Sequence, residues 1–183
     1  MKEQREYHKQ IIVFEGPQGS GKSTIVNEVS QTLQIPQKRA FPTGEMILKL
    51  SQEEICRASV NTIKETKDTY VYDRSPISQI AYMLRTTGKE RYYECLEKVL
   101  DQPSPWFIFF LNASVDQIKN RQDYSSSLAV KPNEVYREVN VYKNIFNYIK
   151  NMNKNNLHVY ELVNETLEDK KTILNLVNNL LKK

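Results

Sequence analysis

Apolar residues recur along this chain in two alternating rhythms. Short apolar runs of strand length are separated by longer stretches in which apolar positions fall every three or four residues. The runs predict strands at 10–15, about 36–41, 69–73, 106–112 and 157–163. The longer stretches predict helices at 22–34, 44–66 with a break near Ser51, 76–87, 89–101, 114–122, 133–152 and 166–182. Ser114 and Asp116 are placed to cap the helix after the fourth strand, and Thr166-Leu167-Glu168-Asp169 has the form of a capping box. Alternation of this kind predicts an α/β fold, with a five-stranded parallel sheet covered by helices on both faces. The 183 residues match one domain, 1–183. In such sheets ligands bind beyond the carboxyl ends of the strands, so the residues after each strand are the candidates for function.

After the first strand stands Gly16-Pro17-Gln18-Gly19-Ser20-Gly21-Lys22-Ser23-Thr24, which fits G-x-x-x-x-G-K-[ST] at every defined position. The chain has five glycines, and three of them lie in this loop. Strand, glycine loop and helix is the context in which backbone N–H groups and a helix N-terminus cradle phosphates. Lys22 supplies a cation for the outer phosphates of a nucleoside triphosphate, and the Ser23 hydroxyl an oxygen for Mg²⁺. The fold expectation sharpens accordingly to a three-layer P-loop NTPase. Glu15, just before the loop, is expected to be a structural hydrogen-bonding residue. After the second strand come Arg39, Ala40, Phe41 and Pro42. After the third come Asp73, Arg74 and Ser75, where a carboxylate for the metal and a guanidinium for phosphate form the pair that phosphoryl transfer uses. Arg57 either faces the same cleft or is a solvated helix arginine. A polar stretch after Arg121, reaching to about residue 132, predicts a short lid.

Composition adds boundaries. Net charge is +4, and the basic residues are scattered, so nucleic acid is not an expected partner. No apolar stretch reaches the ~18 residues of a membrane span, and Met1 to Gln10 has no apolar signal core, so the expected location is the cytoplasm. Cys56 and Cys95 lack metal spacing and are expected to be reduced and incidental.

Three segments resemble the thymidylate kinases, within the wider group of nucleoside and nucleoside monophosphate kinases. They are Phe14-Glu15-Gly16 leading into the loop, Arg39 with Phe41-Pro42, and Asp73-Arg74-Ser75-Pro76-Ile77-Ser78-Gln79-Ile80-Ala81-Tyr82. The resemblance implies that Lys22 and Ser23 serve donor ATP and Mg²⁺, and that Asp73 serves the metal. It implies that Arg74 and Arg39 hold the acceptor phosphate and that Phe41 stacks on its base. Ser78, with Gln79 or Tyr82, would lie along the acceptor pocket, and Arg121 would sit at the start of the lid that closes over the donor. Related kinases pair through helices, so a homodimer is possible.

Departures qualify the substrate. Gln18 stands where thymidylate kinases usually carry an acid that touches the acceptor sugar; it keeps hydrogen bonding without charge. Ser75 replaces a tyrosine, Ala40 is inserted before Phe41, and no second arginine follows Arg121 before Arg137. The expected activity is γ-phosphoryl transfer from ATP to a nucleoside monophosphate. The alternative is a deoxynucleoside kinase, whose acceptor hydroxyl calls for a carboxylate base. No acid follows the second strand until Glu45, and that favours the monophosphate. A third class, a P-loop NTPase switch or nucleotide-binding module, lacks a guanine-reading motif, since Asn153-Lys154-Asn155-Asn156 has no aspartate.

Overall fold

The computed structural model of the chain describes residues 9–39, 49–88, 90–121 and 130–181. Five parallel strands lie in the order β2-β3-β1-β4-β5: β1 Ile11–Glu15, β2 Gln37–Lys38, β3 Tyr70–Asp73, β4 Trp106–Asn112 and β5 Leu157–Val163. Seven α-helices occur among the described residues. They are α1 Lys22–Leu33, α2 Gln52–Lys64, α3 Pro76–Thr87, α4 Tyr92–Leu100, α5 Val115–Arg121, α6 Val135–Asn151 and α7 Leu167–Leu181. A single 3₁₀ turn, Pro132–Glu134, leads into α6.

The sequence of β1 explains the layers. Every residue of this central strand is buried, and successive side chains leave opposite faces. Ile11 and Val13 join a core with residues of α2, α3, α4 and α6. Ile12 and Phe14 join a second core with Ile25, Val26 and Val29 of α1 and Ile173 and Val177 of α7. Strands buried on both faces are therefore continuous apolar runs, as in β4, where Phe109 stacks between Phe14 and Tyr160 at centroid distances of 4.9 and 5.2 Å. Among the described residues no helix is long and apolar enough to cross a membrane.

Local signals end where the chemistry says they should. Ser51 and Glu54 form a capping box, so α2 starts at the expected break rather than running through it. Thr166 and Asp169 exchange the same reciprocal bonds at α7. The expected parts of β2 at 40–41 and of the following helix at 44–48 lie outside the described residues.

One expectation is corrected. Cys56 and Cys95 are not free thiols but a disulfide between α2 and α4, with their Cα atoms 5.7 Å apart. Their 39-residue separation in sequence hid this, because the two helices pack side by side against the same core.

Candidate active site

The loop after β1 is built for close approach. Gly16 has φ +143°, and a Cβ there would stand 2.3 Å from the Leu111 carbonyl oxygen of β4. Any side chain would force the loop off the sheet. Pro17 accepts from the backbone N–H of Ser20 at 3.1 Å, closing the turn. Gly19 and Gly21 both take left-handed φ values, 87° and 88°. No side chain caps α1, so its first-turn N–H groups stay available to an anion. Thr24, in that turn, is exposed. Ser20 is buried, and its carbonyl accepts from Nδ2 of Asn164, which directly follows β5, at 2.7 Å.

Lys22 folds back over the loop. Its Nζ donates to the carbonyls of Gly16 and Pro17, each at 2.7 Å. Burial, then the neighbouring Arg74, lowers its pKa to about 8, against the opposing pull of Glu138, Glu15 and Asp73. Asp73, buried at the end of β3, joins two sides of the site. Its Oδ1 accepts from Ser23 Oγ at 3.0 Å, and its Oδ2 is paired with Arg39 at 2.8 Å. A hydroxyl and a carboxylate oxygen side by side, next to a phosphate loop, suit a hard cation such as Mg²⁺. Among the described residues no group of three or more His, Cys, Asp or Glu converges on a metal-sized site, so such an ion would draw its other ligands from phosphate and water.

Arg74 follows in a left-handed conformation, φ 71°, with its side chain exposed at the mouth of the site. Glu15 braces this turn. Fully buried, it accepts from the N–H of Ser75 at 3.3 Å, from Ser75 Oγ, and from Ser78 Oγ at 2.7 Å. Burial raises the Glu15 pKa, and the Ser75 and Ser78 bonds oppose that rise. Ser75 Oγ in turn accepts from Ile77 N at 3.0 Å and caps α3. The structural role expected for Glu15 is thus seen.

The remaining expected positions are distributed differently. Ser78 points to Glu15, and Gln79 is buried, accepting from Ser59 Oγ of α2 at 2.6 Å. Tyr82 lies under the Arg85 guanidinium, 5.4 Å from its ring centroid. Arg57 is exposed and pairs with Glu53 one turn away at 3.2 Å, the solvated alternative. Arg121 donates to the carbonyls of Asn164 and Glu165 at 2.7 and 2.6 Å, so it meets the segment after β5 that also holds the phosphate loop. Phe41 and the lid residues 122–129 lie outside the described residues.

Two further residues of the site escape the motifs. Asn164 carries one usable signal, its position at a strand's carboxyl end like the other site residues. Glu138 carries no local signal. It lies on α6, half-buried, and its Oε2 accepts from the backbone N–H of Gln18 at 3.0 Å. The side chain of Gln18 turns the same way, accepting from Val130 N at 3.1 Å. Desolvation raises the Glu138 pKa, against the attraction of Lys22, Arg85 and Arg74 and the Gln18 bond.

No protein-family model matches the chain, and no curated protein matches it in sequence. Solved structures do match. A YorR protein from Bacillus subtilis, solved in complex with phosphorylated GDP, superposes with a TM-score of 0.66 at 19% identity, over 94% of this chain and 98% of that one. Deoxyadenosine kinase from M. mycoides with bound dATP gives 0.67 at 18% identity, over 95% and 100%. Thymidylate kinase from Candida albicans gives 0.62 at 18% identity, over 96% and 93%. At these identities the likeness is one of architecture: the chain has the three-layer P-loop fold of nucleoside and nucleotide kinases.

Proposed function

We propose that this protein transfers the γ-phosphoryl group of ATP to a nucleoside or nucleoside monophosphate. The observation that carries the reading is Asp73, whose two oxygens meet Ser23 of the phosphate loop and Arg39 of the β2 end. One carboxylate thereby joins the donor side of the cleft to the acceptor side. In this reading the loop N–H groups and Lys22 hold the triphosphate. Ser23 and Asp73 would hold Mg²⁺, which when bound neutralises charge on the donor phosphates. Arg74, fixed in its turn by Glu15, reaches toward the phosphoryl group in transit.

A thymidylate kinase-like acceptor, a nucleoside monophosphate, is supported by Arg39 and Arg74 flanking Asp73, two cations suited to an acceptor phosphate. A nucleoside hydroxyl is favoured by a different observation, the Glu138 carboxylate at the loop. The chain's similarity in fold to both a deoxyadenosine kinase and a thymidylate kinase is compatible with either acceptor. Incubation with γ-labelled ATP, Mg²⁺ and separate panels of nucleosides and monophosphates tests the reading. Label should appear in a nucleotide product; release of label only as inorganic phosphate would contradict it.

A further inference from the structure

We infer that the Cys56–Cys95 disulfide is a site of reversible reduction by a dithiol, attacked at Cys56, and that its opening frees the start of α2 and weakens the hold on the acceptor. The last clause rests on the kinase reading above; the redox site itself does not. Both cysteines line a cleft of about 580 Å³ between the first turns of α2 and α4. Cys56 is half-buried and Cys95 buried, so a thiol entering the cleft meets Cys56 first. A cross-link that a thiol can reach is of the labile kind, unlike one sealed inside a core.

What the cross-link holds together is a poorly satisfied contact. Gln52 begins α2 and Tyr92 begins α4, each about one turn before its cysteine, and both line the same cleft. Gln52 Oε1 and the Tyr92 hydroxyl are buried, and among the described residues neither has a hydrogen-bond partner. Buried polar atoms without partners oppose the packing that buries them, because water would satisfy both. While the disulfide is closed the two helix starts cannot part. Once it opens, no covalent tie opposes the hydration of Gln52 and Tyr92. The opening stays local, since Ile63 of α2 and Leu96, Val99 and Leu100 of α4 remain in the core. Its effect reaches the site by two routes. Ser59, one turn beyond Cys56, donates to Gln79 Oε1 of α3 at 2.6 Å, and α3 begins at the turn that carries Arg74. α2 also anchors the chain that leads back to Arg39, the partner of Asp73. Both arginines assigned to the acceptor thus rest in part on α2, whereas the phosphate loop packs on β4 and is held from the end of β5.

In the first step a thiolate of the dithiol attacks Cys56 Sγ. A bond forms between those two sulfurs, the Cys56–Cys95 bond breaks, and Cys95 leaves as a thiolate. Arg91 and Lys98, about one turn to either side of Cys95, line the cleft and place positive charge near the leaving sulfur. Of the acids lining it, Glu53 is paired with Arg57, and Glu94 opposes the two cations. The second thiolate of the reductant then attacks its own sulfur in the mixed disulfide and releases Cys56. Two electrons pass to the protein, the reductant ends as a disulfide, and its two protons pass to Cys56 and Cys95.

The test compares the folded wild-type chain oxidised, reduced with dithiothreitol and reoxidised, beside a Cys56→Ser, Cys95→Ser double variant. Thiol titration should find no free thiol before reduction and both cysteines free after it, without loss of the folded state. A monothiol, quenched with iodoacetamide, should leave its adduct on Cys56 and the alkyl group on Cys95. Amide hydrogen exchange over residues 52–57 should speed up about tenfold or more on reduction and return on reoxidation. With γ-labelled ATP and Mg²⁺, the KM of whichever nucleoside or monophosphate accepts label should rise about fivefold or more on reduction, while ATP affinity holds within about twofold. The double variant should behave as the reduced chain and ignore dithiothreitol; if it melts abnormally, the three wild-type states decide. A disulfide that yields only when the chain unfolds, an adduct on Cys95 alone, or exchange that reduction leaves unchanged would each overturn the redox site. An acceptor KM indifferent to reduction would overturn the coupling and leave the kinase reading standing. No labelled product in any state would overturn the kinase reading and the coupling together, and the thiol and exchange measurements would still decide the site.

Discussion

Lys22 shows how one residue's surroundings set its behaviour. Burial and Arg74 bring its pKa to about 8 when no ligand is bound, below the ordinary 10.5. The folded chain therefore binds fewer protons than the unfolded chain between those values. Its penalty on stability is fully present below about pH 8 and is relieved as pH rises toward 10.5. Triphosphate would pull the pKa back up. ATP binding should thus be accompanied by more proton uptake near pH 8 than near pH 6.5. Calorimetry in buffers of different ionisation enthalpy measures this, and uptake independent of pH would contradict the placement of Lys22 against phosphate. Asp73 makes a second prediction at this scale. Asp73→Asn keeps the shape but removes the charge beside Ser23, so half-maximal activity should need at least about tenfold more Mg²⁺. An unchanged metal titration would remove Asp73 from the metal site. Glu138 is not legible at this scale at all, because nothing around it in sequence marks a residue that folding carries to Gln18.

Elements decide how these residues stay in place. The carbonyl of Ser20, inside the phosphate loop, is held by Asn164 at the end of β5, 144 residues away. Asn164→Ala leaves that buried carbonyl without its partner, a cost of about 1–2 kcal/mol, and should weaken ATP binding about tenfold. Unaltered ATP affinity would show that the loop holds its shape unaided. The disulfide ties α2 to α4 in the same long-range manner. The native chain should show no titratable thiol. Cys95→Ser should lower stability by about 3 kcal/mol, seen as a clear drop in melting temperature. Two reactive thiols in the folded chain would contradict the pairing. Strands and most helix starts are legible in the sequence because their signals are local, as with the apolar run of β1 and the Ser51–Glu54 and Thr166–Asp169 boxes. Pairings such as Cys56 with Cys95, or Gln79 with Ser59, depend on which helices pack together, and no local pattern encodes that.

The whole molecule brings the ends of four strands to one edge of the sheet. Lys22 and Ser23 follow β1, Arg39 follows β2, Asp73 and Arg74 stand at the end of β3, and Asn164 follows β5. Because ligands bind at this edge in parallel sheets, the strand ends alone make most of the site legible in the sequence. They do not reveal the helix that closes over the edge, since α6 contributes Glu138 from its first turn. In the proposed function this assembly moves a phosphoryl group from ATP to a nucleoside or nucleotide rather than to water. The most direct measurement follows label from γ-labelled ATP and Mg²⁺ in the presence of mixed nucleosides and monophosphates, with Lys22→Ala as control. The wild-type chain should give a labelled nucleotide product, and Lys22→Ala should lose it. Label appearing only as inorganic phosphate, or equal product from the Lys22→Ala chain, would contradict it.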